Sequence, residues 1–227
     1  MKPASTLVLF DIDGTLLRGA GPHHKEALIE GVQRVTGLTT SFEGIDTAGK
    51  LDMDLIAALL ESARATADVR DIARESQRAY LENCSQDLIP FVCRGVREVL
   101  TGLAERGAAM ALVTGNLSAI GWRKMELAGL REFFRCGAFS EDGATRAQLA
   151  RIAIKRARAQ RHAADDCGIS LIGDHRNDVQ AAQANSLRSV AVASGPMPAA
   201  ELRTWQPDIF VECLADLNID LLLEPAP

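Results

Sequence analysis

The chain has 227 residues, 47% of them hydrophobic and only 4% aromatic, with a formal net charge of -5. This length fits one large domain or a domain with a sizeable insertion, with a core of Leu, Ala, Val and Ile that needs no covalent staples. The mild acidity argues against a dedicated nucleic-acid binder, whose footprint is basic. The 5 cysteines are scattered and never form a C-x-x-C pair, which argues against a disulfide framework or a zinc site; they read as small core residues. No run approaches ~18 apolar residues, and no apolar leader precedes the first aspartate. A cytoplasmic protein without signal peptide or membrane span is expected.

In chain order, the first element is the apolar run LVLF at 7–10, too short for a typical helix and read as a buried strand. It runs straight into Asp11 and Asp13, then Gly14 and Thr15. From about residue 19 to 88 the period changes. HHKEALIEGVQRVTG, LDMDLIAALLESAR and ADVRDIARESQRAYLENC carry apolar residues three and four apart and predict helices. Gly37 is placed to end the first of these. After about residue 89 an alternation begins. GVREVLTGLAERG predicts a helix stopped by Gly107, AAMALVTGN a strand entering a glycine turn, and SAIGWRKMELAGL a helix. TRAQLARIAIKRARAQ predicts an amphipathic helix, GISLIGD a strand, NDVQAAQAN a helix and RSVAVASG a strand. Alternation of this kind implies a parallel sheet with helices on both faces. The expected fold is α/β, a doubly wound parallel sheet interrupted after its first strand by an all-helical block. Residues 1–17 and 89–227 would form the core and 18–88 the insert, with hinges near 17–22 and 86–91.

In an open parallel sheet, ligands bind at the carboxyl ends of the strands. The first strand ends in Asp11 and Asp13, the strand MALV in Thr114, Gly115 and Asn116, and the strand ISLIG in Asp174, with Asp178 four residues on. Three carboxylates and a hydroxyl would therefore meet on one edge of the sheet. Each such charge raises the pKa of its neighbours. A hard divalent cation keeps them ionised, and oxygen donors of this kind suit Mg²⁺.

The motifs DIDGT, VTGN and GDHRND, in that order and with a helical block after the first, resemble the haloacid dehalogenase superfamily of hydrolases over nearly the whole chain. The tail VAVASGPMPAAELRTWQPDIFVECLADL resembles the end of phosphoglycolate-phosphatase-like members. The resemblance implies hydrolysis of a small phosphorylated metabolite with Mg²⁺ through an aspartyl phosphate, under a helical cap. It implies Asp11 as nucleophile and Asp13 as general acid and then base. Thr114, with the amides of Gly115 and Asn116, would hold the transferred phosphoryl oxygens. Asp174 would be a metal ligand beside the Asp11 side chain and the Asp13 backbone carbonyl, and Asp178 a further metal partner. Lys50 sits where related caps carry substrate-contacting residues.

The lysine that such proteins usually place before the last motif is missing from its usual signature. Arg146 and Lys155 are the candidates. Arg146 falls in line with Leu149, Ala150, Ala153 and Ala157, so it is expected on the buried stripe, where it needs an anionic partner. Lys155 lies nine residues on, about 13 Å along the axis, beside Arg151 and Arg158 on a solvated face. Arg146 is therefore expected to bridge nucleophile and phosphate, and its fork suits a phosphoryl group.

Rival chemistries in the superfamily are separated by residue 13. A dehalogenase would lack the acid there, and a phosphonate hydrolase also departs there and uses a cap lysine, such as Lys50, as a Schiff base. A sugar-phosphate mutase keeps both aspartates. A signalling receiver with a phosphorylated aspartate would be about half as long and uncapped. His23 and His24 are expected to be solvated or to cap a helix, and His175 to lie near the site without catalysing. A monomer and a homodimer are both compatible with the sequence.

Overall fold

The computed structural model describes residues 2–223. β1 (Ala4–Phe10) leads into α1 (His23–Thr36), α2 (Asp52–Ser62) and α3 (Val69–Asn83). The chain continues through α4 (Val96–Glu105), β2 (Ala109–Val113), α5 (Ser118–Leu127), β3 (Cys136–Ala138), α6 (Arg146–Ala159) and β4 (Ala163–Gly173). It closes with α7 (Arg176–Gln183), β5 (Arg188–Val192), α8 (Ala199–Thr204), β6 (Ile209–Val211) and α9 (Asp220–Leu223). The strands form one parallel sheet in the order β3-β2-β1-β4-β5-β6. The fold is thus a doubly wound α/β sheet with the helices α1 to α3 inserted between β1 and β2.

The winding reverses at β1. The chain steps from β1 to β2 and β3 on one side, then returns to β4, β5 and β6 on the other. Open α/β sheets bind ligands at such a switch point. Register then decides what meets there. Phe10 pairs with Leu112 and with Ile172, so the residues just beyond these partners emerge level with one another. They are Asp11, Val113 followed by Thr114, and Gly173 followed by Asp174.

The unbroken apolar run of β1 has a simple cause, since both faces of the strand are covered. Leu7 and Leu9 pack with Leu149, Ala150 and Ala153 of α6, whereas Val8 and Phe10 pack with Val99, Leu100 and Leu103 of α4. The insert has a core of its own, including Leu28, Val32, Ile56, Leu59, Ile72 and Tyr80, which also takes in Leu117 and Ile120 from the region of α5.

Two strands escape the sequence pattern. CGA and IFV, three residues each, are too short to show a period, and pairing with β2 and β5 makes them strands. β4 also begins earlier than GISLIGD suggests, because Ala163 pairs with Ala4 before a shift in register. Of the ranges expected from sequence, residues 1 and 224–227 lie outside the described residues. Among the described residues, no helix is long and apolar enough to cross a membrane, and the cysteines are unpaired.

Candidate active site

Beyond Phe10 the chain makes one more sheet bond, from the Asp11 N–H to the Ile172 carbonyl at 3.0 Å, and then turns sharply. The N–H groups of Leu16 and Leu17 both donate to the Ile12 carbonyl, at 2.8 and 2.9 Å. Gly14 sits in this turn with φ +91°, and a Cβ there would collide with the Asp174 carboxylate. Only glycine meets both demands. Asp174 is fixed from the same turn by the Thr15 hydroxyl, which donates to its Oδ1 at 2.9 Å.

Asp178 belongs to the first turn of α7. His175 caps that helix, its Nδ1 accepting from the Asn177 N–H at 3.3 Å while Asp178 Oδ2 accepts from the His175 N–H at 3.2 Å. Capping thus accounts for the histidine of GDHRND. Asp11, Asp174 and Asp178 are buried, and each offers a carboxylate oxygen within 4.8 Å of the other two.

Arg146, in the first turn of α6, is buried beside them. Its Nη1 lies 3.2 Å from Asp11 Oδ1 and 3.3 Å from the Val113 carbonyl. Its Nε lies 3.1 Å from Asp178 Oδ1, close enough for an ion pair but not aligned for a hydrogen bond. Lys155 is exposed farther along α6.

One guanidinium cannot compensate three buried carboxylates. Burial pushes Asp11 above the usual carboxylate range, with Arg146 opposing. Burial, then the charges of Asp11 and Asp178, push Asp174 well above it. Asp178 is raised to about 7, chiefly by burial, with Arg146 opposing and Asp11 adding to the rise. A set of hard oxygen donors left short of positive charge fits a divalent cation.

Asp13 faces the other way. Its side chain is 45% exposed, but into the cavity between sheet and insert rather than to open solvent. Lys124 Nζ donates to both of its oxygens, at 2.8 and 2.7 Å, and Asn116 Nδ2 donates to Oδ2 at 2.7 Å. Burial alone would raise this carboxyl, yet the charge of Lys124 and the bonds from Lys124 and Asn116 outweigh it and hold Asp13 at about 2. Thr114, fully buried, ties the two sides together. Its hydroxyl works to lower the Asp11 carboxyl, and its oxygen accepts from the Asn116 backbone N–H at 3.3 Å and side-chain amide at 3.0 Å.

Lys124 is a site residue not expected from the motifs, although the sequence carries a signal for it. Leu117, Ile120, Gly121, Lys124 and Met125 form one buried stripe at helical spacing. The rule that singles out Arg146 on α6 singles out Lys124 on α5.

His24 requires a correction, because it neither caps a helix nor stands in solvent. The N-terminal cap of α1 is Pro22, without a side-chain bond. His24 Nε2 lies 2.8 Å from Asp52 Oδ2, and its Nδ1 lies 3.0 Å from Lys124 Nζ. The cause is tertiary. The insert folds back onto the sheet edge, with the Asp52 N–H donating to the Gly115 carbonyl at 2.8 Å. A Cβ on Gly115 would collide with the Lys50 carbonyl. The side chain of Lys50 is exposed at the rim.

A cavity of about 310 Å³ opens between sheet and insert. Asp11, Asp13, Gly115, Asn116, Arg146 and Lys50 all line it, together with His24 and Lys124.

Residues 6–185 match the family model of the haloacid dehalogenase-like hydrolases. The chain belongs to this family. The match takes in both the turn that carries Asp11 and Asp13 and the segment from Asp174 to Asp178. A phosphoglycolate phosphatase of Pectobacterium atrosepticum is 23% identical over 212 residues, 92% of this chain and 88% of its own. Among solved structures, a beta-phosphoglucomutase from Clostridium difficile superposes with a TM-score of 0.70 at 16% identity, covering 98% of this chain and 96% of that one. CbbY from Rhodobacter sphaeroides, in complex with phosphate, gives a TM-score of 0.67 at 19% identity over 94% of this chain and 96% of that one. At these identities the likeness is one of fold.

Proposed function

We propose that the protein is a Mg²⁺-dependent phosphomonoesterase that acts on a small, phosphoglycolate-like metabolite through an aspartyl phosphate on Asp11. One observation carries this reading. Asp11 lines a cavity of small-metabolite size with a guanidinium beside it, while a second carboxylate two residues on is held apart in a different environment. Two carboxyl groups pushed in opposite directions suit two different roles.

Asp11 attacks phosphorus. The Asp11–phosphorus bond forms as the bond to the alcohol oxygen breaks, and a proton passes from Asp13 to that oxygen. Water then attacks the aspartyl phosphate and gives its proton to Asp13, which frees phosphate and restores Asp11. Held at about 2, Asp13 rests in the ionised form that the second step needs. An arriving phosphoryl group adds negative charge beside it and favours the protonated form needed by the first. Arg146 orients the nucleophile through Nη1 and meets the phosphoryl oxygens through Nη2 as a charged donor, with the amides of Gly115 and Asn116 on their other side. Asp11, Asp174, Asp178 and the Asp13 carbonyl would hold Mg²⁺, which when bound offsets the charge of nucleophile and phosphate. Residues 18–88 act as a cap that excludes water from the first step, moving at 17–22 and 86–91.

The test is a screen of purified protein with Mg²⁺ against about a hundred phosphorylated metabolites, phosphoglycolate first because a relative bears that name. Phosphate release with an acid-stable, hydroxylamine-sensitive label on Asp11 is the expected result. Conversion of a hexose phosphate to its isomer without phosphate release would replace this reading with a mutase.

A further inference from the structure

Lys124 is 2% exposed, and a fully buried lysine is rare unless it is paired. An ammonium has three N–H bonds, and three contacts account for them: Asp13 Oδ1 at 2.8 Å, Asp13 Oδ2 at 2.7 Å and His24 Nδ1 at 3.0 Å. His24 must then present a lone pair at Nδ1 and carry its proton on Nε2, where Asp52 Oδ2 receives it at 2.8 Å. Asp52 is itself seated on the sheet edge, since the same Oδ2 accepts the Leu117 N–H at 2.7 Å. Neighbouring bonds seat this corner of the insert as well, from the Met53 N–H to Ser140 Oγ at 2.8 Å and from Asn177 Nδ2 to the Gly49 carbonyl at 2.8 Å. Asp52 and His24 come from the insert; Lys124 and Asp13 come from the core. A lysine serving stability alone would need one buried carboxylate. This one grips both oxygens of a carboxylate that faces the cavity.

We infer that Lys124 is a positioning residue for Asp13, and that the insert sets its orientation through His24 and Asp52. The inference rests on the phosphatase reading of Asp13. With the insert seated, His24 takes one N–H of Lys124 and the other two fix the plane of the Asp13 carboxylate toward the substrate oxygen. With the insert lifted, water replaces His24 and the ammonium is free to turn. Seating of the cap thereby aligns the proton-transfer group.

The test compares kcat/KM for an alkyl phosphate and for p-nitrophenyl phosphate, because only the alkoxide needs a proton as it leaves. Lys124→Met should lower the alkyl value about 100-fold and the aryl value less than about 5-fold, within the range of general acid catalysis. Asp52→Asn and His24→Leu should give the same selective loss at about 10-fold, and His24→Asn, which keeps an acceptor near the Nδ1 place, should recover part of it. Adding His24→Leu to Lys124→Met should cost nothing further on the alkyl ester. In ¹⁵N spectra, His24 should carry its proton on Nε2 in the wild type and lose that preference in Asp52→Asn. Equal losses on both esters, or no loss on either, would overturn the inference while leaving the phosphatase reading in place. The alkyl ester is the best substrate of the metabolite screen, and a wild type that releases phosphate from no ester in that screen would overturn both. If Lys124→Met fails to fold, the near-isosteric Asp52→Asn and His24→Asn carry the same comparison.

Discussion

Asp11 and Asp13 are separated by one residue, yet they stand in opposite surroundings. Asp11 shares a buried, anion-rich corner with Asp174 and Asp178, built wholly from the ends of core strands and helices, and burial drives its carboxyl upward. Asp13 faces the insert, where a buried lysine backed by a histidine and a further aspartate holds it low. The core corner is short of positive charge, whereas the insert corner has its own lysine. The difference teaches that proximity in sequence does not set electrostatics; the charges supplied by each neighbouring element do.

The sharpest way to break this contrast is to neutralise one member. Asp11→Asn should lower turnover by more than about a thousandfold, with an unchanged circular-dichroism spectrum and a melting temperature at least equal to wild type, since one crowded charge is gone. Turnover near wild type would remove Asp11 from the nucleophile's place. Next comes the cation of the core corner. Arg146→Ala should cost about 10²- to 10³-fold in kcat, and Lys155→Ala less than about twofold because that side chain is exposed on a helix surface. The reverse order would move the role to Lys155.

The third prediction uses pH. Asp178 titrates at about 7 in the folded, metal-free chain, against an ordinary value of 3.8. As pH falls from about 7 toward 4, the folded state takes up a proton that the unfolded state does not yet bind, so this group's contribution to stability rises across that window. Mg²⁺ needs the ionised form. The rise in melting temperature produced by Mg²⁺ should therefore be several degrees larger at pH 8 than at pH 6, and a shift equal at both values would dissociate the acidic corner from metal binding.

The smallest effect is expected at an ion pair outside both corners. Asp142 receives both Nη atoms of Arg156, at 2.6 and 2.7 Å. Burial tends to raise Asp142, but the Arg156 bonds prevail and lower it. Its contribution is present above the ordinary carboxylate value and disappears as pH falls through the depressed one. Because Arg156 is partly solvated, Arg156→Ala should cost only about 0.5–1 kcal/mol near neutrality, and urea melts should show the difference vanishing in acid. A difference that persists there would assign the loss to packing and to the bond from Arg156 Nη1 to the Gly137 carbonyl at 2.7 Å, which acid leaves intact.

The core corner was largely legible in the chain. A short apolar run ending in acid, repeated in a fold whose strands alternate with helices, places Asp11, Thr114 and Asp174 on one edge, because parallel strands present their carboxyl ends together. Arg146 was legible because a charge on an apolar helical stripe demands a partner. Lys124 is equally visible by that rule, on the buried stripe of α5. His24 was not visible, since its partners lie 28 residues away in Asp52 and 100 away in Lys124, and no period links such positions. β3 and β6 were hidden for a related reason, as three residues carry too little pattern to declare a strand.

Periodicity and the order of its motifs thus determined the sheet, the inserted helices and the acidic edge, since these follow from local spacing and from the burial of both faces of β1. Which cation serves which carboxylate was decided only when α5 and α6 packed against the sheet edge, and the insert then set His24 and Asp52 behind Lys124. That choice depends on distances of about 3 Å between elements remote in sequence, and spacing along a chain carries no measure of them.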